Sequence, residues 1–210
     1  MDHGLKTWQA YGGPKSCLVR STPRFAEQIV ELYNDPQVRV STCQEASSAE
    51  EHRAWLAREE QLGRDANFVI LAKAGFAGTI SLNDVIPDRT AEVQRFVTAA
   101  NGLRPFALAA EFLVISYAFN VLHCRSVWCA LGASAPQIVD FHLKNGWERC
   151  PHYDRPSKLD PSGKMLGLRF GRDQWAPAME ECRDLLIRLT GQAPEDWRVN
   201  DIPALLAAAS

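Results

Sequence analysis

The spacing of apolar residues along the chain predicts a series of short strands. The segment 66–85 contains two apolar runs separated by Lys73 to Gly75, which is the pattern of two strands joined by a tight turn. Comparable apolar runs predict further strands at 16–20, 125–131 and 163–171.

The segment TAEVQRFVT (90–98) also alternates in the manner of a strand. Strict alternation would place Ala91, Val93 and Arg95 on one face. Glu92, Gln94 and Phe96 would then lie on the other face.

Two helices are predicted between the first strand and the second. Pro23 opens the first of them, with Ser21 or Thr22 as its cap, and the run Asn34-Asp35-Pro36 ends it. Ser48 and Glu51 have the spacing of a capping box at the start of the second helix. Phe25, Ile29, Val30 and Leu32 give the first helix an apolar stripe.

Three more helices follow later in the chain. Pro105 opens a helix that is apolar nearly all round, so it should be buried. A helix over 136–145 ends at Gly146, and a terminal helix over 176–190 ends at Gly191. The order contains both hairpins and strand–helix–strand crossovers, which predicts an α/β fold with a mixed sheet and helices on both faces.

Composition excludes several classes of function. The chain has 210 residues, a formal net charge of −2 and 46% hydrophobic residues, so it can bury a core and has no bulk attraction for nucleic acid or anionic membranes. Its six cysteines form no Cys-x-x-Cys pair and no zinc-binding spacing, so no metal is expected. No apolar signal segment or run of about 20 apolar residues occurs, which predicts a cytoplasmic protein with no membrane partner.

Three segments resemble the GNAT superfamily of N-acyltransferases: GFAGTISLND (75–84), AEVQRFVTAANGLRPFALAAEFLVISYAF (91–119) and IVDFHLKNGWE (138–148). The resemblance extends over roughly residues 17–175. It implies a mostly antiparallel central sheet in a domain of residues 1–175, with 176–210 as a C-terminal helical extension packed on it. That extension is expected to cover a core edge or a subunit contact, which would allow a homodimer.

The resemblance implies an acyl-CoA site at the start of the buried helix. The loop runs Gly102, Leu103, Arg104, Pro105, Phe106 and Ala107. A glycine-containing turn before a helix presents amide N–H groups to a pyrophosphate. The chain departs from the family pattern, because Gly102 replaces the usual Arg or Gln and Pro105 replaces the central glycine. Pro105 lacks an N–H, and Arg104 is the expected compensating contact.

In the family, the strand before this loop pairs its backbone with the pantetheine arm of CoA and polarises the thioester carbonyl. The matching residues are Phe96, Val97 and Thr98. Phe96 and Val97 are equally suited to the core.

Acyl transfer to an amine requires two proton transfers. Glu92 lies on the strand that faces the acceptor in the family, so it is the candidate base, with a structural carboxylate as the alternative. His142 occupies the place of the family's tyrosine and is the candidate acid that protonates the thiolate. The alternative for His142 is a packing histidine.

The connection 37–44 covers the acceptor cleft in this family. Ser41, Thr42 and Trp55 are therefore candidate acceptor contacts, and Asn83 is assigned to the same site. Trp55 offers a stacking face for a base, although core packing of its helix would also explain it.

Two subgroups are most similar: the Rim-type acetyltransferases of protein N-termini and the enzymes that acylate amino-sugar nucleotides in pathways such as pseudaminic acid synthesis. The segments NDPQVR, EEHRAWL and SGKMLGLRFGRDQW favour the second subgroup. The resulting hypothesis is transfer from acetyl-CoA or a longer acyl-CoA to the primary amine of a nucleotide sugar. The alternatives are a protein N-terminus, an antibiotic amine, or a non-catalytic acyl-CoA-binding module.

Overall fold

The computed structural model describes residues 9–36, 38, 48–62, 65–72, 75–98, 104–158 and 160–201. Its strands are β1 (Gln9–Gly12), β2 (Ser16–Arg20), β3 (Ala66–Ala72), β4 (Gly75–Ile86), β5 (Thr90–Thr98), β6 (Ser126–Gly132), β7 (Glu148–Arg149), β8 (Arg155–Pro156), β9 (Lys164–Gly171) and β10 (Arg198–Asp201). Its α-helices are α1 (Ala26–Asn34), α2 (Ala49–Leu62), α3 (Arg104–Asn120), α4 (Pro136–Lys144) and α5 (Arg172–Thr190).

The strands form one mixed sheet in the order β10-β1-β2-β3-β4-β5-β6-β9-β7, with β8 also paired to β9. All of these pairings are antiparallel except that of β5 with β6. The crossover between those two parallel strands contains α3, as a parallel pair requires. The mixed, mostly antiparallel sheet expected from the sequence is confirmed.

Helices cover both faces of the sheet, as predicted. On one face, α3 packs over Tyr11, Phe68 and Val127, with α5 and α4 beside it, and this face holds the larger apolar core. On the other face, α1 and α2 pack with Val69 and Val97 in a smaller core. Because α3 is sandwiched in the larger core, its residues are apolar nearly all round.

Two of the predicted helix-capping residues cap their helices, at the start of α2 and at the end of α5. Ser48 Oγ accepts from Glu51 N at 3.2 Å while Glu51 Oε2 accepts from Ser48 N at 2.9 Å, so the capping box is formed. Gly191 ends α5 with φ of 78°, a left-handed conformation that glycine adopts without steric cost. No helix in the described part of the chain is both long and apolar enough to cross a membrane.

Two parts of the C-terminal region differ from the sequence prediction. Helix α5 begins at Arg172 and contains Pro177 in its first turns, where a start at residue 176 was expected. Beyond α5, the chain forms strand β10, which pairs with β1 at the sheet edge. Apolar periodicity does not reveal β10, because its four residues include Arg198, Asn200 and Asp201.

Candidate active site

The two parallel strands separate after a short pairing, and the gap between them is called the fork below. Strand β5 pairs with β6 only from Thr90 to Glu92, where Glu92 lies opposite Trp128. Beyond this point β5 remains paired with β4, and β6 remains paired with β9. The edge of β5 that faces the fork therefore has backbone amide groups outside the ladder, which can hydrogen-bond an extended ligand.

A β-bulge lies in β5 inside the fork. The register with β4 shifts between Thr79 and Ser81, and Arg95 adopts a φ of 49°. Thr79 Oγ1 donates to the Arg95 carbonyl at 3.0 Å. Gly78 admits the close approach of the strands, because a Cβ there would lie 2.1 Å from Val97 O. A bulge of this kind bends a strand and re-aims its side chains.

The bulge corrects the predicted alternation of β5. Val93 and Phe96 both pack against the larger core, although they are three positions apart. Arg95 instead projects to the opposite face, towards α2, where its guanidinium lies over the Trp55 ring. The expectation that Arg95 shares a face with Ala91 and Val93, and Phe96 with Glu92, is therefore wrong, because the extra residue breaks the period of two.

Glu92 lies at the apex of the fork and is fully buried. Burial raises the pKa of the Glu92 carboxyl above its ordinary value, while the Arg155 guanidinium acts in the opposite direction. Arg155 Nη2 lies 2.9 Å from Glu92 Oε1, and the Arg155 side chain is 43% exposed.

A polar network borders Glu92 on the β4 side. Asn83 is directly opposite Glu92 in the antiparallel register. Its Nδ2 donates to Asp65 Oδ2 at 2.7 Å, and its Oδ1 accepts from Ser81 Oγ at 2.6 Å. The Asn83 side chain is thus fixed in orientation, next to the place predicted for the acceptor.

Aromatic rings border Glu92 on the β6 side. The Trp128 and Tyr153 rings stack with 4.4 Å between centroids and an angle of 5° between planes. The Arg155 guanidinium lies 5.8 Å from the Trp128 ring centroid. The cation that pairs with Glu92 is therefore itself held against an aromatic face.

A small pocket that is open to solvent lies on the same face of the sheet, below α1 and α2. It is called the α1–α2 cavity. Its polar lining includes Tyr33, His52, Asn67, Ser81 and Arg95, and Trp55 contributes an aromatic wall. Trp55 is half-buried there and also packs against the smaller core.

His142 lies on the other face of the sheet and is buried. Its Nδ1 lies 2.9 Å from the Ile138 carbonyl, and its Nε2 lies 3.6 Å from Glu111 Oε1. Glu111 is a buried residue of α3 whose Oε1 also accepts from Trp147 Nε1 at 2.7 Å. Burial raises the pKa of the Glu111 carboxyl, and His142 opposes that effect. Both ring nitrogens of His142 therefore face protein acceptors.

The acyl-CoA loop is described only in part. Helix α3 begins at Arg104, close after the end of β5, and Phe106 packs against the larger core. Ala107 is half-buried in the same turn. Gly102 and Leu103 lie outside the described residues, as do Ser41 and Thr42. The helix N-terminus is at the place where the sequence predicts the pyrophosphate.

The structure brings together some of the predicted residues and adds others. Glu92, Asn83 and Trp55 share one face of the sheet, whereas His142 lies on the opposite face. Arg155 and Arg95 were not predicted. No motif identifies Arg155, since it lies on a strand of two residues. The available signal for Arg95 was a charged residue at a position that strict alternation assigns to the face of Ala91 and Val93. No cluster of three metal-ligating side chains occurs within the described ranges.

Comparisons with known proteins give a consistent result. Residues 17–148 match the family model described as "Acetyltransferase (GNAT) domain". No curated protein sequence matches the chain.

Solved structures are similar in fold. The apo form of FdhC, described as a nucleotide-linked sugar GNAT, has a TM-score of 0.70 at 15% identity, over 83% of this chain and 97% of its own. A spermidine N-acetyltransferase from Vibrio cholerae, in complex with CoA and spermine, has a TM-score of 0.65 at 14% identity, over 77% and 98%. RimJ from Mycobacterium smegmatis, in complex with CoA-disulfide, has a TM-score of 0.63 at 13% identity, over 82% of this chain and 92% of its own.

Proposed function

Because the chain belongs to the GNAT acetyltransferase family, and is thus an acyl-CoA-dependent N-acetyltransferase in type, we propose that its acceptor is the primary amine of a nucleotide-linked amino sugar. We further propose that Glu92 is the base. The observation that carries the mechanism is a buried, ionisable carboxyl at the apex of the fork.

The fork provides a path for acyl-CoA. The pantetheine arm would lie along the free edge of β5 at Phe96, Val97 and Thr98, and the pyrophosphate would lie at the start of α3 beside Arg104. In this arrangement the thioester reaches the apex, where the strands converge. Backbone N–H groups of the bulged strand would then stabilise charge on the thioester oxygen.

The chemical step is an attack of the acceptor amine on the thioester carbon. Glu92 takes one proton from the incoming ammonium, directly or through a water molecule, so that the nitrogen lone pair can form the C–N bond. The C–S bond then breaks, the CoA thiolate leaves, and the nitrogen releases its remaining extra proton to solvent to give the neutral amide. His142, as the proposed acid, returns a proton to that thiolate. To do so, one of its nitrogens must exchange its protein partner for the ligand, because both have partners here.

The acceptor class is supported by two observations. The segments NDPQVR and SGKMLGLRFGRDQW resemble those of the enzymes that acylate amino-sugar nucleotides. The fold is also similar to that of FdhC, a nucleotide-linked sugar GNAT.

Replacement of Glu92 by Gln tests the mechanism, because the amide keeps the shape and removes the base. We expect acetyl-CoA to stabilise the variant against heat as it does the wild type, and turnover with amino-sugar nucleotides to fall by roughly 10²- to 10⁴-fold. Glu148→Gln, at an exposed carboxylate on β7, is the matched control and should keep full activity. Glu92→Gln turnover within a few-fold of wild type would show that Glu92 is a structural carboxylate.

A further inference from the structure

The α1–α2 cavity is cationic. None of the described residues that line it carries a carboxyl group, whereas Arg95 projects into it. The pKa of the His52 imidazole lies below its ordinary value, because the ring is partly buried and also faces Arg95. Both effects favour the neutral imidazole, so Arg95 is the source of positive charge in the lining of the cavity.

Arg95 is held in place without a charged partner. Its guanidinium carbon lies 4.2 Å from the centroid of the Trp55 ring, and its Nη1 donates to Asn67 Oδ1 at 3.3 Å. Neither partner is an anion, and no carboxylate within the described ranges forms an ion pair with Arg95. A guanidinium fixed on an aromatic face still has N–H donors for an incoming anion.

The backbone at Arg95 favours a functional explanation. A non-glycine residue at φ of 49° is uncommon and strained, and such residues persist where the surroundings and the function require them. The bulge turns the Arg95 side chain away from the larger core and into the cavity. Without the bulge, an arginine in this strand would alternate into that core.

We propose that Arg95, with Trp55 and Asn67, forms a subsite for an anionic group of the acceptor, either a phosphate or a carboxylate. The proposal rests on the proposed function and specifies its acceptor. Glu92 and Arg95 lie three residues apart on one strand, about 10 Å along the backbone, and face the same side of the sheet. One acceptor can thus place its amine at Glu92 and its anionic group at Arg95, as a nucleotide-linked amino sugar would. A polycation such as spermidine would be repelled by the Arg95 guanidinium, which has no carboxylate partner among the described residues.

A binding experiment tests the subsite without requiring turnover. Calorimetry would measure the affinities of UDP and dTDP as phosphate probes, and of succinate as the carboxylate probe. Arg95→Asn removes the charge with a residue that tolerates left-handed φ, and Arg95→Lys keeps the charge. Arg53→Ala, at an exposed arginine of α2 paired with Glu27, is the matched control.

The wild type should bind the phosphate probes or succinate, and the probe that binds identifies the anion. Arg95→Asn should weaken that binding by about 10- to 100-fold, Arg95→Lys should restore part of it, and Arg53→Ala should leave it unchanged. Equal binding by wild type and Arg95→Asn, or no binding of any probe by the wild type, would overturn the subsite.

Kinetics distinguish failure of the subsite from failure of the proposed function. Arg95→Asn should raise KM for an anionic acceptor by a similar factor, and by much more than it raises KM for an amino sugar without an anionic group, such as a methyl glycoside of glucosamine. An enzyme that prefers spermidine would overturn the subsite while leaving acyl transfer intact. Absence of acetyl-CoA binding by the wild type would instead overturn the proposed function, and the calorimetry would still decide the subsite.

Discussion

Removal of Arg155 should shift the pH dependence of catalysis. The proposed base Glu92 would act only when it is ionised, and burial raises its carboxyl pKa, so we expect activity to be lost as the pH falls through that value. Arg155 opposes the rise, because its cation stabilises the ionised form. In Arg155→Ala the pKa of Glu92 should therefore move further upward, and the acidic limb of the kcat/KM profile should move to higher pH.

The size of this shift follows from the geometry of the pair. Two unit charges about 4 Å apart interact by about 4 kcal/mol at an effective dielectric constant of about 20. Arg155 is 43% exposed, with its Nη2 2.9 Å from the buried Glu92 Oε1, so solvent screens part of this interaction. A discounted value of roughly 1–2 kcal/mol corresponds to a shift of about one pH unit.

The assay is the initial rate of CoA release with one amino-sugar nucleotide, measured from acidic to alkaline pH. The same acceptor is used throughout, so its own amine pKa contributes equally to every profile. Arg155→Lys keeps the charge and should restore most of the wild-type profile. Arg183→Ala removes an exposed arginine of α5 that pairs with Glu195, and it should leave the acidic limb of the profile unchanged. An Arg155→Ala profile that coincides with wild type would refute the assignment of Glu92 as a base tuned by Arg155.

Two further variants test the rest of the site. Arg104→Glu places a negative charge at the start of α3 and should weaken acetyl-CoA binding by about 10-fold or more in calorimetry. The control Arg58→Glu, at an exposed position of α2, should not weaken it. Unchanged affinity in Arg104→Glu would place the phosphate site elsewhere. His142→Phe should keep acetyl-CoA binding and lower turnover by roughly 10²-fold, the scale for loss of a general acid. A loss of only a few-fold would make His142 a packing residue of the cluster with Glu111 and Trp147.

Prediction from the sequence succeeded where the local pattern reflects the final environment. The capping box at Ser48, the buried helix α3 and the apolar strand β3 each have a signal that burial or hydrogen bonding explains locally. The pattern of β5 misled at Arg95, because one extra residue in a strand reverses the face of everything after it.

Other parts of the site depend on contacts between distant segments. Arg155 reaches Glu92 from a segment 63 positions later in the sequence, and no periodicity connects the two. Glu111 approaches His142 from a different helix, 31 positions earlier. Pairings of this kind arise only when the sheet is assembled, so a local pattern does not contain them.

The pairing of β1 with β10 has a consequence for biosynthesis. These strands are the first and the last that the structure describes, and Gln9 lies opposite Asp201. Long-range pairing of this kind delays folding, because the intervening chain must be ordered first. A chain emerging from the ribosome therefore leaves the outer edge of β1 open until β10 has been synthesised. During that interval the unpaired edge is exposed to other chains, and a chaperone that shields strand edges would act at this stage.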